Sequence, residues 1–425
     1  MTVNTKPIRR GRVFYGWIAL AGAALVYFTG CGIFFYSYGV FLPTMCDELG
    51  WSRAAMAAGL SLGTLTFGLP SPLIGASITR FGPRVNIVLG NLLAALGLAG
   101  MSLAQEVWHI YFFYGLAGLG VGFGMYMACT MVVNNWFIGK RSLGMGLVVA
   151  AGGLGGFVFP PLATWLISTI GWQMSWVILA GIHFIFAVLI GVSILVRNRP
   201  EDVGQVPDGI SIEPARREEG IDHQSRVYQS PVDWQTKQTM RKPVTWLIAT
   251  ICAANFFAIG TVTAHQIAYL KDVGFTPMVA AMVLSLVSGM SIIGRLGFGA
   301  LALRFEVRHL AVVSFAVQLV ALAILLATKN LTLIYIYAAL FGISYGALVV
   351  ALPTFVGGYY GRTYYAQILG MIFPLGTVAE AVGPVLAGAI YDATATYTLA
   401  FALVAAFSSV GLVCAVLARP PKPRQ

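Results

Sequence analysis

The sequence predicts an all-α membrane protein, with twelve transmembrane helices in two pseudo-symmetric six-helix bundles. Three observations carry this. Of 425 residues, 58% are hydrophobic and only 10% charged, with a mean hydropathy of +0.82, against about 25% charged residues in a soluble domain. The apolar residues fall in repeated segments of roughly 20 to 28, the length a helix needs to cross the hydrocarbon core. Such helices satisfy every backbone polar group within the segment, which lipid requires. Lys and Arg, finally, fall almost wholly in alternate connections.

The spans run, in order, over about 15–43, 52–78, 85–104, 108–134, 143–169, 173–196, 243–269, 277–302, 309–327, 331–357, 364–390 and 394–417. The first follows Arg9, Arg10 and Arg12, is too long for a signal-peptide core, and is read as a retained helix. Gly50-Trp51 closes it, as Gly274-Phe275 closes the seventh. After the second comes Gly75-Ala-Ser-Ile-Thr-Arg80-Phe-Gly-Pro-Arg84, and after the eighth Gly299-Ala-Leu-Ala-Leu-Arg304-Phe-Glu-Val-Arg308. The fourth is followed by Asn135-Trp-Phe-Ile-Gly-Lys140-Arg141, the tenth by Gly358-Tyr-Tyr-Gly-Arg362. Such matched marks at equivalent places make the chain a duplication. Its halves are residues 1–196 and 243–425, and the polar connection 197–242 holds Pro200, Glu201, Asp202, Pro214, Arg216, Arg217, Glu218, Glu219 and Asp233. That connection is expected to be partly disordered or to form an interfacial helix.

Charge placement sets the orientation. With both termini inside, 22 Lys and Arg lie on the cytoplasmic side, and Arg53, Lys271 and Lys329 on the other. The positive-inside rule therefore puts both termini in the cytoplasm. The formal charge of +11 does not indicate nucleic acid, because the basic residues are spread among connections without interleaved aromatics. Cys31, Cys46, Cys129, Cys252 and Cys414 form no short-spaced metal pair and read as small buried apolar residues. The run Ala150-Ala-Gly-Gly-Leu-Gly-Gly156 lacks the lysine–serine ending of a nucleotide loop. It suits close helix packing and a flexible gate, with Pro160-Pro161 bending the same helix. No cofactor and no metal are expected.

This arrangement resembles the major facilitator superfamily over essentially the whole chain. The Gly75–Arg84 and Gly299–Arg308 connections are similar to the loop that follows spans two and eight in that superfamily, although its usual acid is Thr79 in one copy and Leu303 in the other. Within the superfamily the chain resembles the monocarboxylate porters and their bacterial relatives, including oxalate–formate exchangers. Three stretches carry the likeness: Tyr15-Gly-Trp17 leading to Ser37-Tyr-Gly-Val-Phe-Leu-Pro43 and Glu48-Leu-Gly-Trp-Ser-Arg53; Asn135 through Gly146 into Ala151-Gly-Gly-Leu-Gly155; and the span holding Arg295. The lysine some relatives use in the first span is missing, and the eleventh span contains no Lys or Arg. The resemblance implies a functional monomer in a bacterial inner membrane that moves a small organic anion, with protons as a further partner. It makes Arg80, Arg84, Arg304, Arg308, Lys140 and Arg141 gating or structural residues.

Arg295 is the cation that lies well inside a span, in Val283-Leu-Ser-Leu-Val-Ser-Gly-Met-Ser-Ile-Ile-Gly-Arg295. A guanidinium stays protonated, and its forked donors match two carboxylate oxygens. It reads as a substrate anchor, against the alternatives of snorkelling to an interface or a structural ion pair. With one such cation, a dianion would bring an unpaired charge into the cavity, so a monocarboxylate is favoured. Glu380 is the one acid in the apolar core of a span and reads as a proton carrier, a structural partner of a helix or of Arg295, or a substrate contact. His265 responds to pH, bonds the substrate, or satisfies a local bond; Gln266 beside it is a weaker cavity candidate, and His183 reads as structural. Tyr36, Tyr38, Tyr126 and Tyr345 are candidate cage residues, at most one of the first two facing the path because they stand two apart. Phe35 and Phe373 are candidate apolar walls, and Asn134 and Asn135 candidate helix caps. Proton symport is preferred to anion exchange because of Glu380 and His265. A sensor that has kept the porter fold, or a membrane enzyme, is disfavoured for want of a signalling domain or a catalytic cluster.

Overall fold

A computed structural model describes residues 14–209 and 227–421. The N-terminal run with Lys6, Arg9, Arg10 and Arg12, the stretch from Pro214 to Glu219, and Lys422 and Arg424 lie outside the described residues. All elements among the described residues are helical. They are α1 (Gly16–Leu49), α2 (Arg53–Gly68 and Ser71–Phe81, bent by 43°), α3 (Pro83–Leu103) and α4 (Val107–Trp136). One continuous helical stretch, Arg141–His183 running into Phe184–Leu195, breaks at Gly171 (φ 79°) into α5 over 141–170 and α6 over 172–195. The second half holds α7 (Pro243–Asp272), α8 (Pro277–Leu301), α9 (Val307–Ala327), α10 (Leu331–Tyr360), α11 (Tyr365–Thr394) and α12 (Thr398–Leu417).

Ten described helices are long and apolar enough to cross a membrane, the bent pair supplies one more, and the Gly171 break divides the longest in two. That makes the expected twelve. The ends differ mostly by a few residues. α1 runs on past Pro43 to Leu49, because the chain turns only at Gly50, whose φ of 68° takes the left-handed conformation glycine accepts freely. α11 likewise continues to Thr394 and ends at Ala395 (φ 55°). Within α1, residues Gly30–Tyr36 form a π-helical segment, and the Ser37 hydroxyl donates to the Gly32 carbonyl at 2.9 Å. Such a segment shifts the helical face by one residue and often marks a functional site.

Large apolar side chains such as Leu73, Leu89, Phe157 and Val385 are exposed, as a lipid-facing surface requires. Inside, α5 packs on α8 and α10, and α11 packs on α2 and α4. The α5–α8 crossing is tight. A Cβ on Gly146 would stand 2.7 Å from the Arg295 carbonyl oxygen and 3.0 Å from the Gly299 Cα. Small residues permit such an approach, which is how helices hold together in lipid.

Polar bonds between the halves gather at the end rich in Lys and Arg. Ser71 donates to the Gly370 carbonyl at 3.0 Å, Asn134 to the Arg362 carbonyl at 3.4 Å, and buried Arg141 to the Gly357 carbonyl. Glu201 pairs with Arg362 at 3.2 Å. The described parts of the connection lace this end together. Asp208 accepts the Ile138 and Gly139 amides at 3.0 and 2.7 Å, and Asp233 accepts the Arg362 amide at 2.6 Å and the Thr363 hydroxyl at 2.5 Å. At the opposite end the bonds of the described residues stay within one half, as in Trp172 to Glu48 at 2.7 Å and Tyr269 to the Leu325 carbonyl at 3.0 Å.

The basic residues of the matched loops take different partners. Arg84 donates to the Ser193 carbonyl at 3.1 Å, Arg80 lies over Phe81 at 5.2 Å, and Lys140 lies 5.8 Å from the Trp17 ring. Arg308 meets His309 at 3.0 Å, and the Arg304 amide closes the turn after α8 on Leu301 at 2.9 Å. Thr79, standing where the acid of the resembled loop would be, bonds its own helix at the Gly75 carbonyl at 2.8 Å.

Candidate functional site

Arg295 sits on α8 where that helix crosses α5 and is 6% exposed. Its Nη1 donates to the Val149 carbonyl at 3.1 Å, and its Nε has no partner. Gly153 makes room for the head, since a Cβ there would stand 2.9 Å from Nη1. The ionisable groups around it are Tyr36, Tyr345, Cys31 and Tyr27, from α1 and α10. No acidic side chain among the described residues pairs with it. The guanidinium is therefore held between the two halves by neutral groups, with one donor edge unspent. Burying a cation in this way is costly, and an anion arriving at the free edge would offset the cost.

Tyr126 begins the second part of α4, just after the break at Met125 (φ −111°, ψ −89°). Its ring stacks on Phe373 of α11 at 4.8 Å and stands 6.3 Å from Tyr27. Its hydroxyl is buried without a partner. Phe373 also meets Phe67 of α2 at 5.7 Å and Phe256 of α7 at 5.8 Å, and Phe67 meets Phe35 at 5.2 Å. Five rings from five helices thus form one aromatic cluster across the halves. Tyr345 packs 5.9 Å from Phe341 and reaches the Arg295 group from α10.

Other candidates are occupied elsewhere. Tyr38 is fully buried, donates to the Met56 carbonyl at 2.6 Å and packs on Tyr114 at 4.4 Å, so it belongs to the first-half core rather than to the group around Arg295. His265 faces the Pro384 carbonyl at 2.9 Å and the Tyr397 hydroxyl at 3.4 Å. Gln266 is buried and accepts from Tyr337 at 2.8 Å, leaving its Nε2 unpartnered. All these partners lie in the second half, outside the Arg295 group. His183 is buried and bonds Thr29 at 3.0 Å. Asn135 donates to the Asn198 carbonyl at 2.9 Å, a tie to the connection in place of a helix cap.

Glu380 is half-buried on α11, with neither a hydrogen bond nor an ion pair among the described residues. A structural pair with Arg295 is thereby ruled out for this conformation. Its backbone carbonyl lies against Gly260 of α7, and Cys252 is its ionisable neighbour.

Several residues of this region escaped sequence reasoning. Tyr27 and Cys31 stand four apart and, with Tyr36 brought round by the π segment, face Arg295. Their spacing was a readable signal. Phe67 and Phe256 carried none, since an inward phenylalanine and a lipid-facing one look alike in a hydrophobic span.

Twelve apolar helices in two packed halves among the described residues, with a buried cation and an aromatic cluster between them, are the architecture of a helical membrane protein with a polar site at its centre, as in membrane transporters. The chain belongs to the Major Facilitator Superfamily, whose profile matches residues 20–375 and 266–425. Among relatives it is similar to monocarboxylate transporter 13 of Rattus norvegicus, at 26% identity over 97% of this chain and 90% of that protein. It is also similar to monocarboxylate transporter 12 of Homo sapiens, at 26% identity over 92% and 77%. In fold it is similar to the crystal structure of the E. coli fucose:proton symporter FucP, with a TM-score of 0.69 at 14% identity, covering 96% of this chain and 100% of that one. A FucP structure in the outward conformation gives a TM-score of 0.68 at 15% identity, covering 95% and 98%.

Proposed function

We propose that the chain is a secondary active transporter of a small organic monocarboxylate, with Arg295 as the carboxylate anchor and a proton as the coupled ion. The carrying observation is Arg295 itself, a buried guanidinium between the halves with no acidic partner among the described residues and a free Nε. Its single charge suits a single carboxylate. Tyr36, Tyr345 and Tyr126 supply hydroxyls, and Phe35 and Phe373 apolar walls. The relatives named monocarboxylate transporters support this choice of cargo.

The halves 1–196 and 243–425 act as two bundles that rock about this site, with 197–242 joining them on the cytoplasmic side. Basic loops and both termini lie on that side by the positive-inside rule; the bacterial inner membrane rests on the sequence resemblance. The bonds between the halves then close the cytoplasmic end in this conformation. Glu380 is the proton carrier of choice, being half-buried and without an ion pair among the described residues; His265, bonded on both nitrogens within the second half, is a weaker one.

Uptake into proteoliposomes tests the proposal. Radiolabelled acetate, pyruvate or lactate should enter faster under an inward proton gradient, saturably, and Arg295→Ala should raise the half-saturating concentration by roughly ten- to a hundredfold. Uptake that requires an internal anion and ignores the gradient would indicate exchange; unchanged saturable uptake by Arg295→Ala would remove the anchor.

A further inference from the structure

We infer a second cargo class for this site: monocarboxylates that carry their own positive group at the end remote from the carboxylate, with Glu380 receiving that group. The class is that of ω-amino or ω-trimethylammonio carboxylates, and it presupposes Arg295 as the carboxylate anchor.

The placement of Glu380 carries the inference. Phe373, Thr377 and Glu380 stand at i, i+4 and i+7 on α11 and so share one face. That face looks across to the first half. Phe373 touches Phe67 and Tyr126, and Thr377 fills the space that a Cβ on Gly68 would need. Glu380 lies one turn farther from the basic end, on the side where no polar bond among the described residues joins the halves. It is half-buried there without a polar partner among the described residues.

One cation on α8 and one anion on α11 thus stand at the contact between the halves, with no ion pair joining them among the described residues. Tyr27 neighbours Arg295, Tyr126 stands 6.3 Å from Tyr27, and Cys252 of α7 neighbours both Tyr126 and Glu380, so the two charged groups are linked through intervening side chains and do not touch. This separation disfavours an α-amino acid, whose two charges are adjacent, and favours a cargo with an apolar stretch between them. The stretch has its wall in Phe373 and the half-buried Phe256, which lies beside Gly376, one turn from Glu380. Aromatic faces next to a carboxylate suit an alkylammonium head. The unpartnered Tyr126 hydroxyl lies along the same route.

Charge balance separates the two cargo classes. A plain monocarboxylate on Arg295 leaves Glu380 charged as the halves close, so a proton must accompany it. A cargo bearing its own cation neutralises both groups, and no proton is needed. Both routes close the site with the same net charge.

The test uses caproate and ε-aminocaproate, chains of equal length, on the full-length protein in proteoliposomes. Caproate uptake should rise several-fold under an inward proton gradient, whereas ε-aminocaproate uptake should not respond to it. In competition binding, Glu380→Gln should shift the ratio of affinities against ε-aminocaproate by about tenfold or more, the loss expected for a charged contact, and Glu380→Asp should recover part of it. Two outcomes would overturn the inference while leaving the carboxylate anchor standing: ε-aminocaproate failing to compete with Arg295-dependent caproate binding, or Glu380→Gln leaving the ratio unaltered. If neither compound binds in an Arg295-dependent way, the anchor and this inference fall together.

Discussion

Arg295 of α8 donates from Nη1 to the backbone carbonyl of Val149 on α5, 3.1 Å away, so the candidate anchor is itself a bond between the two halves. The same residue stands where cargo would bind and where the halves touch. An anion at the free Nε edge would change the charge balance at the contact that alternating access must remake.

Arg295→Ala should therefore cost binding far more than folding. Losing a charge-assisted contact to a carboxylate removes about 1.5–3 kcal/mol, or roughly ten- to a hundredfold in affinity. Because the guanidinium has no acid partner among the described residues to leave stranded, the melting temperature in detergent should fall little or rise. Arg295→Lys keeps the charge but not the fork, and binding should be intermediate. Titration calorimetry with a monocarboxylate, beside a thermal melt, checks both halves of this statement. An Ala variant that no longer folds would make Arg295 structural.

Gly146→Ala should disfavour the conformation described. The added Cβ would stand 2.7 Å from the Arg295 carbonyl oxygen, a backbone atom with little freedom to yield. α5 and α8 would have to separate at the basic end. The expected result is greater labelling of cysteines introduced in the basic-end gap and slower turnover. Unaltered labelling would mean that the two helices already stand apart in the membrane.

The fold was largely legible because lipid imposes one rule: a helix long and apolar enough to cross it, with cations held back on one side. The twelve spans followed from that rule, and the duplication from the matched loops after spans two and eight. Helix ends were less legible where a proline lay in the way. The first span was drawn to about residue 43, yet its helix runs on past Pro43 to the turn at Gly50, the glycine already read as closing it. Around the site, Arg295 stood out because a charge in an apolar span is conspicuous. Phe67 and Phe256 did not, since direction rather than composition makes them wall residues. The π segment at Gly30–Tyr36 also left no mark in a pattern read at the ordinary helical period, yet it brings Cys31 and Tyr36 to the same guanidinium. For His265 the sequence left a pH response, a substrate bond and a local bond open, and only the positions of Pro384 and Tyr397 select the local bond; the partner of Gln266, Tyr337, carried no mark in the sequence.

Tyr126→Phe separates packing from recognition. The ring stacks on Phe373 at 4.8 Å, but the hydroxyl is buried without a partner, so removing it should not lower stability and should raise it by up to ~1 kcal/mol. Cargo affinity should fall by about three- to tenfold if the hydroxyl is spent on cargo, the usual worth of one neutral hydrogen bond. Raised stability with unchanged affinity for every monocarboxylate tested would confine Tyr126 to the aromatic cluster.

The basic-end clasp should loosen in acid. For Asp233, burial alone would raise the carboxyl pKa, but the bonds from the Thr363 hydroxyl and the Arg362 and Thr363 amides, with the charge of Arg141, outweigh it and hold the value below the ordinary range. For Glu201, burial likewise pulls upward and is outweighed by the bond from Arg362, a backbone amide and the charges of Arg362 and Arg199. A carboxylate whose folded pKa is depressed contributes stability that is complete above its unfolded value, about 3.9 for Asp and 4.3 for Glu, and that is lost as pH falls through the folded value. The clasp should thus hold unchanged from neutral pH down to about 4 and open below. Asp233→Asn should open it at neutral pH, because an amide accepts fewer of the bonds that Arg362 and Thr363 now give. Spin-label distances across the basic end, one label in each half, read this directly. A distance distribution in Asp233→Asn identical to that of the unsubstituted protein at neutral pH would assign the closure to the α5–α8 and α2–α11 contacts alone.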